Sequence, residues 1–237
     1  MLEALVSDGG RNSVAAIARN IGMPVSTAHR QVATLVQEAY LVSTHGGRHV
    51  PGPRLLGLLH RLDEKQVIAN IAAPMLDRLA GETNCIVQLG TFENDMVTYR
   101  VKTGANAAGL FTRVGMQLEA YCSGIGKVLL AHLPQRDRDA YLACGPFIAL
   151  TPQTIVDPAA LDAELSRVRR EGFAVDDGEI TDELVCVAVP IYWTDGQVPA
   201  AISASQARNA TSCVSNDHLV PTLIAIADRI SAQAPRS

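Results

Sequence analysis

Apolar residues spaced three and four positions apart predict two short helices near the amino terminus. The first lies within residues 13–23, where Ser13 can cap a helix and Gly22 can end it with a positive φ. The second begins after Pro24, and its apolar face consists of Ala28, Val32, Leu35 and Val36. Its first turn is polar and basic. Two helices joined by a short turn in this way form a helix-turn-helix arrangement.

Residues 41–52 alternate apolar and polar positions around Gly46 and Gly47. The glycine pair supplies the positive φ values of a tight turn, so the segment is predicted to form a two-stranded wing. Helical spacing then runs from 53 to 84, with predicted breaks at Pro74 and Gly81. The predicted organisation is a winged helix-turn-helix domain at 1–53, a linker helix at 54–66 and a second domain at 67–237.

Period-two alternation in the second domain predicts two hairpins. Their strands are residues 85–92 with 96–102, around Glu93-Asn94-Asp95, and residues 184–193 with 198–205, around Thr194-Asp195-Gly196-Gln197. Three helices are predicted at 123–133, 158–172 and 218–234. Strands and helices do not alternate regularly, which favours an α+β fold with helices flanking an antiparallel sheet.

The composition fits a folded protein with aliphatic cores: 48% of the 237 residues are hydrophobic and 4% are aromatic. No apolar run reaches the roughly 18 residues of a membrane-spanning helix, and the first residues lack the features of a signal peptide. We therefore expect a cytoplasmic protein. The five cysteines stand singly without a CxxC pair and are expected to be free thiols.

The net charge of −4 hides an asymmetry. Residues 1–63 hold six arginines against four acidic residues, which favours contact between the helix-turn-helix and DNA phosphates. The candidate DNA-binding residues are Val25, Ser26, Thr27, His29 and Arg30 on the second helix, Arg48 in the wing and Arg54 after it. The alternative is a small helical bundle whose Arg and His residues form a solvated face.

Four stretches together resemble the IclR family of bacterial transcriptional regulators. They are residues 17–41 with the wing and 52–58, residues 114–134, residues 169–196 and residues 198–205. The resemblance covers almost the whole chain, and its strength lies in the shared order and spacing of the stretches. It implies a winged helix-turn-helix, a linker helix and a GAF-like effector-binding domain, assembled as homodimers or homotetramers under small-molecule control.

The resemblance also implies an effector pocket between the sheet and its loops. The matching positions here are Leu118, Gly124, Ile125, Asp176, Leu184, Cys186, Ser203 and Ser205. Leu118 would form an apolar wall, and the backbone amides of Gly124 and Ile125 would hold a carboxylate without a full counter-charge, which suits a small organic acid. The position of Ile125 is often alanine or serine in relatives, and the bulkier side chain could shrink the pocket or bias it toward a different ligand.

Several of these positions also have a purely structural interpretation. Ser203 and Ser205 share one face of a strand and could simply line a sheet. Cys186 could be a small buried hydrophobic residue, Asp176 a turn residue, and Gly124 an element of helix entry and packing.

Three short stretches look like enzyme or metal-binding motifs, but each lacks a required feature. The sequence GIGK lacks the glycine and hydroxyl residue of a phosphate-binding loop, since Tyr121 and Val128 stand there. Residues 122–124 lack the first glycine of a nucleophile elbow. His45 and His49 have metal-ligand spacing only on a helix, and the intervening glycines favour a turn. We expect no enzymatic activity, no metal and no cofactor.

The combined prediction is a ligand-responsive transcriptional regulator that binds a near-palindromic operator and responds to a small aliphatic or aromatic acid. The alternative is a small-molecule-binding or hydrolytic protein without operator binding. That alternative predicts no salt-sensitive binding to duplex DNA.

Overall fold

The computed structural model describes residues 1–105, 107, 110–193, 195–208 and 215–233. The chain divides into two units, Met1–Asp63 and Glu64–Ser237. The first unit contains α1 (Leu2–Asp8), α2 (Val14–Asn20), α3 (Val25–Gln37), β1 (Leu41–Thr44), β2 (Arg48–Pro51) and α4 (Pro53–Leu59). The winged helix-turn-helix predicted from the sequence is therefore confirmed.

The core of the first unit forms where α1, α2, α3 and β1 meet. Ser13 caps α2 by accepting a hydrogen bond from the backbone N–H of Ala16. Gly22 turns the chain toward α3 with a φ of +68°. The side chains enclosed by these elements are Leu5, Val14, Ile17, Ala18, Ala28, Val32 and Leu41. The apolar spacing of α3 thus faces inward, and its polar first turn is left outside.

The wing is an antiparallel pair in which Leu41 lies opposite Pro51 and Thr44 opposite Arg48. Gly46 and Gly47 have φ values of +77° and +69°, as the predicted turn requires. Within residues 54–66, where one linker helix is predicted, the structure contains most of α4 and the first turn of a second helix, separated by residues 60–63.

The second unit contains α5 (Glu64–Thr83), β3 (Ile86–Glu93), β4 (Met96–Thr103), β5 (Gln117–Glu119), α6 (Gly124–His132), α7 (Gln135–Leu142), α8 (Pro158–Glu171), β6 (Ala174–Asp177), β7 (Leu184–Ile191), β8 (Ala200–Ala207) and α9 (Asn216–Ser231). Its sheet has the order β5-β4-β3-β8-β7-β6, and all neighbouring strands are antiparallel. The α+β prediction is therefore confirmed, and both predicted hairpins are present. Thr194, the first residue of the second predicted turn, lies outside the described residues, as does Cys213.

Alternation along the strands separates the two faces of the sheet. On β7, Val187 and Val189 point toward the core shared with α5 and α9, whereas Ala188 belongs to the core shared with α6 and α8. On β8, Ile202 belongs to the first core and Ala201 to the second. Small residues thus line the face on which α6 packs, which lets the helix approach the strands closely.

Two predicted helix breaks are wrong. Helix α5 continues through Pro74 and Gly81 to Thr83. Proline removes one intrahelical hydrogen bond, but the helix buries Ala72 and Leu76 against the sheet beside it, and this packing holds the backbone in place.

Three elements were not predicted from the sequence. Strands β5 and β6 have three and four residues, too few to show a period. Helix α7 has almost no apolar stripe, because one of its buried residues is Arg138. Nη2 of Arg138 donates to the carboxylate and carbonyl of Asp162 and to Ser166 Oγ, which compensates part of its burial, whereas Nε is buried without a partner among the described residues.

Among the described residues, no helix combines the length and the apolar character needed to cross a membrane.

We expect Gly126→Ala to lower the free energy of unfolding by more than about 2 kcal/mol. A Cβ at this position would lie 2.0 Å from the carbonyl oxygen of Ala120, and that backbone cannot move away cheaply. Urea unfolding followed by the fluorescence of Trp193, the single tryptophan, measures the change.

The matched control is Gly81→Ala in α5, where a Cβ would meet nothing within 4 Å. It should raise the free energy of unfolding by about 0.5–1 kcal/mol through helix propensity. Equal urea midpoints for Gly126→Ala and the unaltered protein would contradict the close approach described here.

Candidate functional site

The first turns of α3 present a polar surface outside the core of the first unit. Val25, Ser26, His29 and Arg30 are exposed, and Thr27 is half-buried. A side chain can reach a base edge only if it projects from the helix surface, as the four exposed residues do.

The three candidate arginines differ in their surroundings. Arg30 and Arg48 are exposed, and neither guanidinium is hydrogen-bonded or ion-paired to a described residue. Arg54 is held by its own unit: its Nη1 lies 2.5 Å from Glu38 Oε2, and its guanidinium stacks 4.9 Å from the centre of the Tyr40 ring. Arg30 and Arg48 are therefore free to meet phosphates, whereas Arg54 would first have to leave Glu38.

One histidine near this surface, His49, adds little positive charge. His49 on β2 is half-buried, and burial together with the neighbouring His29 lowers the pKa of its imidazole. The uncharged form of His49 is therefore favoured near neutral pH.

A cavity lies in the second unit between the sheet and the amino-terminal end of α6. Seven of the eight predicted effector positions line it: Gly124, Ile125, Asp176, Leu184, Cys186, Ser203 and Ser205. The pairing of strands explains this grouping, since Asp176 lies opposite Cys186 and Cys186 lies opposite Ser205. A Cβ on Gly124 would lie 3.2 Å from Cys186 Sγ, so α6 begins directly above this row.

Leu118 is not among the lining residues. It is half-buried on β5 and packs on the apolar core beneath α6 and α8. The sequence analysis also missed seven lining residues: Gln88, Tyr99, Leu110, Phe111, Thr112, Ser123 and Ile180. Gln88 could have been found from strand pairing, because it lies opposite Ser203, but that pairing joins two hairpins far apart in sequence.

The cavity contains hydrogen-bonding groups without partners. Ser123 caps α6 by accepting from the N–H of Gly126 at 3.1 Å, which leaves the N–H groups of Gly124 and Ile125 without an acceptor among the described residues. Ser203 Oγ is buried and likewise has no hydrogen-bond partner there. A buried polar group without a partner is costly, so these three groups favour a polar ligand or water.

Asp176 is the carboxyl group of the cavity and is only 2% exposed. Its Oδ1 accepts a hydrogen bond of 2.7 Å from the backbone N–H of Glu179. Burial nevertheless raises the pKa of Asp176 to about 6, because the charged form loses its hydration. Burial likewise raises the pKa of Cys186 to about 11, which keeps this thiol protonated near neutral pH.

A buried ion pair fixes the loop that follows Asp176. Lys127 on α6 is 1% exposed, and its Nζ donates to Glu179 Oε1 and, at 2.6 Å, to the carbonyl of Val175. Glu164 Oε1 lies 3.5 Å from the same nitrogen. Lys127 thus ties α6 to the segment after β6, and its donors are directed away from the cavity.

The cavity has a volume of about 20 Å³. Space of that size admits about one water, so an organic ligand requires its walls to move outward. One wall of the cavity is the segment Leu110–Thr112. It is held by Lys102 Nζ, which donates to the carbonyls of Leu110 and Thr112, and by Gln88 Nε2, which donates to Thr112 Oγ1.

Among the described residues, no three His, Cys, Asp or Glu side chains are grouped as a metal ion would require. His45 lies in the wing turn and His49 on β2.

Comparison with known proteins places both units in one family. Residues 1–45 match the model of the IclR helix-turn-helix domain, and residues 60–232 match that of the bacterial transcriptional regulator IclR C-terminal domain. The chain is 31% identical to the uncharacterized HTH-type transcriptional regulator RhmR of Escherichia coli, covering 96% of this chain and 88% of that protein. It is 32% identical to the Pca regulon regulatory protein of Pseudomonas putida, covering 81% of this chain and 67% of that protein.

Solved structures agree with these matches. The IclR protein of Thermotoga maritima has a TM-score of 0.66 at 27% identity, with 98% of this chain and 96% of that chain covered. An IclR homolog from Microbacterium hydrocarbonoxydans, complexed with 4-hydroxybenzoate, has a TM-score of 0.66 at 28% identity. The match covers 98% of this chain and 94% of that chain. The matched helix-turn-helix and C-terminal domains together span most of the sequence, and the chain therefore belongs to the IclR family of transcriptional regulators.

Proposed function

We propose that this regulator binds a near-palindromic operator through α3 and the wing, and that a small organic acid bound in the cavity beside α6 changes its operator affinity. The main support for an organic acid as the ligand is that the backbone N–H groups of Gly124 and Ile125 have no acceptor among the described residues. A helix amino terminus with free N–H groups is a favourable place for a carboxylate.

The DNA-binding part of the proposal rests on the exposed start of α3. Ser26, His29 and Arg30 are exposed there and would meet base edges, and the exposed Arg48 in the wing would meet phosphates. Val25 and Thr27 would contact apolar groups of the bases in the groove, such as thymine methyl groups. Arg54 would contribute only after exchanging Glu38 for a phosphate.

A similar protein supports an organic acid as the class of effector. One similar structure is complexed with 4-hydroxybenzoate, which is an aromatic acid. The apolar lining of this cavity by Ile125, Ile180 and Leu184 suits the hydrocarbon part of such a molecule, and Ser203 and Ser205 can bind its polar end. Leu118 stays a candidate contact only if the cavity widens toward β5.

A symmetric operator requires at least two copies of the chain. In the first unit, α4 and the residues just after it expose four leucines, with exposed fractions of 58% for Leu56, 40% for Leu58, 65% for Leu59 and 60% for Leu62. Apolar side chains clustered in this way favour burial against a second copy. We therefore propose a homodimer through this segment, with a homotetramer as the larger form.

The effector would act by altering the spacing or orientation of the two recognition helices through residues 54–66. Coupling of about 1–3 kcal/mol, as is usual for allostery, changes operator affinity roughly 5- to 150-fold. Such a protein works in the cytoplasm, where a bacterial operator is found, and needs no enzymatic activity, metal or cofactor. The second candidate function, a small-molecule-binding or hydrolytic protein without operator binding, has only the cavity in its favour.

We expect Arg30→Ala to weaken operator binding about 5- to 150-fold, and to weaken it more than binding to an unrelated duplex, because a guanidinium contact to a base edge is lost. The operator is first selected from a pool of random duplexes, and affinities are then measured by fluorescence anisotropy at two salt concentrations. Arg48→Ala should reduce the affinity for every duplex alike.

Arg170→Ala is the matched control, since its side chain is 70% exposed in the second unit. An operator affinity unchanged by Arg30→Ala would contradict the assignment of α3. The absence of any selected duplex would favour the second candidate function.

The double substitution Ser203→Ala and Ser205→Ala should weaken the effector response at least tenfold while leaving ligand-free operator binding intact. Both hydroxyls line the cavity, and neither belongs to the DNA-binding unit. Operator release is titrated with a panel of pyruvate, benzoate and 4-hydroxybenzoate. An undiminished response in the double variant would contradict the cavity as the effector site.

Leu59→Asp with Leu62→Asp should shift the protein toward monomers in sedimentation velocity, because two buried apolar contacts would be replaced by unpaired charges. Both side chains are exposed within their own unit, so folding should persist. Ile148→Asp, at a position 75% exposed in the second unit, serves as control. An identical sedimentation profile for the leucine variant would exclude this segment as the dimer contact.

A further inference from the structure

The cavity contains an acidic group and, among the described residues that line it, no Lys, Arg or His. Asp176 is its one lining carboxyl. Tyr99 and Cys186 also line it, and burial raises the pKa of both side chains, so they are neutral near pH 7. A carboxylate ligand would therefore enter a site whose own charge, if Asp176 is ionised, is already negative.

The nearby cations are engaged elsewhere. Lys127 Nζ is taken up by Glu179, the carbonyl of Val175 and Glu164. Lys102 Nζ donates to the two carbonyls of the segment Leu110–Thr112 and lies outside the lining. Neither ammonium group is therefore free to neutralise a second anion beside Asp176.

Asp176 and the anion-binding amides belong to the same small space. Asp176 lies across from Cys186 in the β6–β7 pair, and Gly124 sits directly on Cys186 Sγ. The titratable groups that face Asp176 from the surrounding elements are Tyr99 on β4, Cys122 before α6, Lys127 on α6, Glu179 in the loop after β6 and Cys186 on β7. Of these, Lys127 and Glu179 compensate each other as a contact pair.

Two carboxylates cannot both stay ionised at close range in a dry site without a cation. We infer that the cavity takes its organic acid together with one proton, and that Asp176 is the residue that binds this proton. Asp176 thereby determines the charge that the site accepts. The inference rests on the proposed effector site and adds to it a specific role for one side chain.

The direction of the pH dependence follows from the proton count. The pKa of Asp176 in the free protein is about 6, so the carboxyl is mainly ionised at pH 7.5 and must gain a proton when the acid binds. Affinity should therefore fall as the pH rises above this pKa, by up to about tenfold per pH unit for one proton. Below the pKa the proton is already present, and the affinity should level off.

The predicted uptake of a proton is tested by isothermal titration calorimetry of the full chain. The ligands are pyruvate, benzoate and 4-hydroxybenzoate, which are ionised throughout the range from pH 6 to pH 8.5. Each titration is repeated in two buffers with different ionisation enthalpies, which gives the number of protons taken up. We expect close to one proton per bound acid at pH 7.5 and a binding constant that falls at least tenfold between pH 6.5 and pH 8.

Asp176→Asn should remove both effects. Asparagine is neutral and can still accept the hydrogen bond from the N–H of Glu179. This variant should take up no proton, and at pH 8 it should bind the acid at least tenfold more tightly than the unaltered protein. Asp177→Asn is the matched control: Asp177 is 66% exposed and paired with Arg208, and its substitution should leave the proton count unchanged.

The outcomes separate this inference from the proposed function. Binding of an acid without proton uptake, or equal pH dependence in Asp176→Asn, overturns the role of Asp176 while the effector site stands. Binding of none of the three acids at any pH, to either protein, overturns the organic-acid proposal and the inference together. If Asp176→Asn fails to fold, the proton count of the unaltered protein still decides.

Discussion

The close contact between α6 and the backbone beneath it is the constraint on which the second unit depends. No side chain separates Gly126 from the carbonyl of Ala120, and Gly124 rests on Cys186 and Ala188. Because the helix begins so near the sheet, its first residues, Gly124 and Ile125, line the cavity. The same approach buries Lys127 and leaves room for little more than one water. The size of the cavity, the position of the first residues of α6 beside it and the buried ion pair thus have one origin.

The charges around the cavity are arranged in two layers. The inner layer consists of Asp176 and neutral polar groups, and the outer layer holds Lys127 with Glu179. A buried ion pair contributes little net stability unless both partners are well bonded, and Glu179 Oε2 is buried without a partner among the described residues. The Lys127–Glu179 pair instead fixes positions, because it holds the loop that carries Ile180 and keeps Asp176 at the cavity.

The first unit shows the opposite use of charge. Its core is a small set of aliphatic side chains, and its arginines stay at the surface. Arg30 and Arg48 lack carboxylate partners among the described residues, so their positive field reaches outward. Arg54 pairs with Glu38 and packs on Tyr40 instead, which stabilises the join between α3, the wing and α4. Of the three candidate arginines, two are thus available to a partner and one is structural.

The sequence by itself determined the elements whose signal is local: the apolar face of α3, the glycine turn of the wing, both hairpins and the family, whose residues recur in a fixed order. Seven cavity residues, among them Asp176 and Ser203, were identified through that resemblance. Tertiary structure decided the rest. It carried α5 through Pro74 by packing, made helix α7 around a buried arginine, and excluded Leu118 from the cavity lining. It also placed Asp176 in a space without a free cation. Such outcomes depend on contacts between residues distant in sequence, for which no local pattern exists.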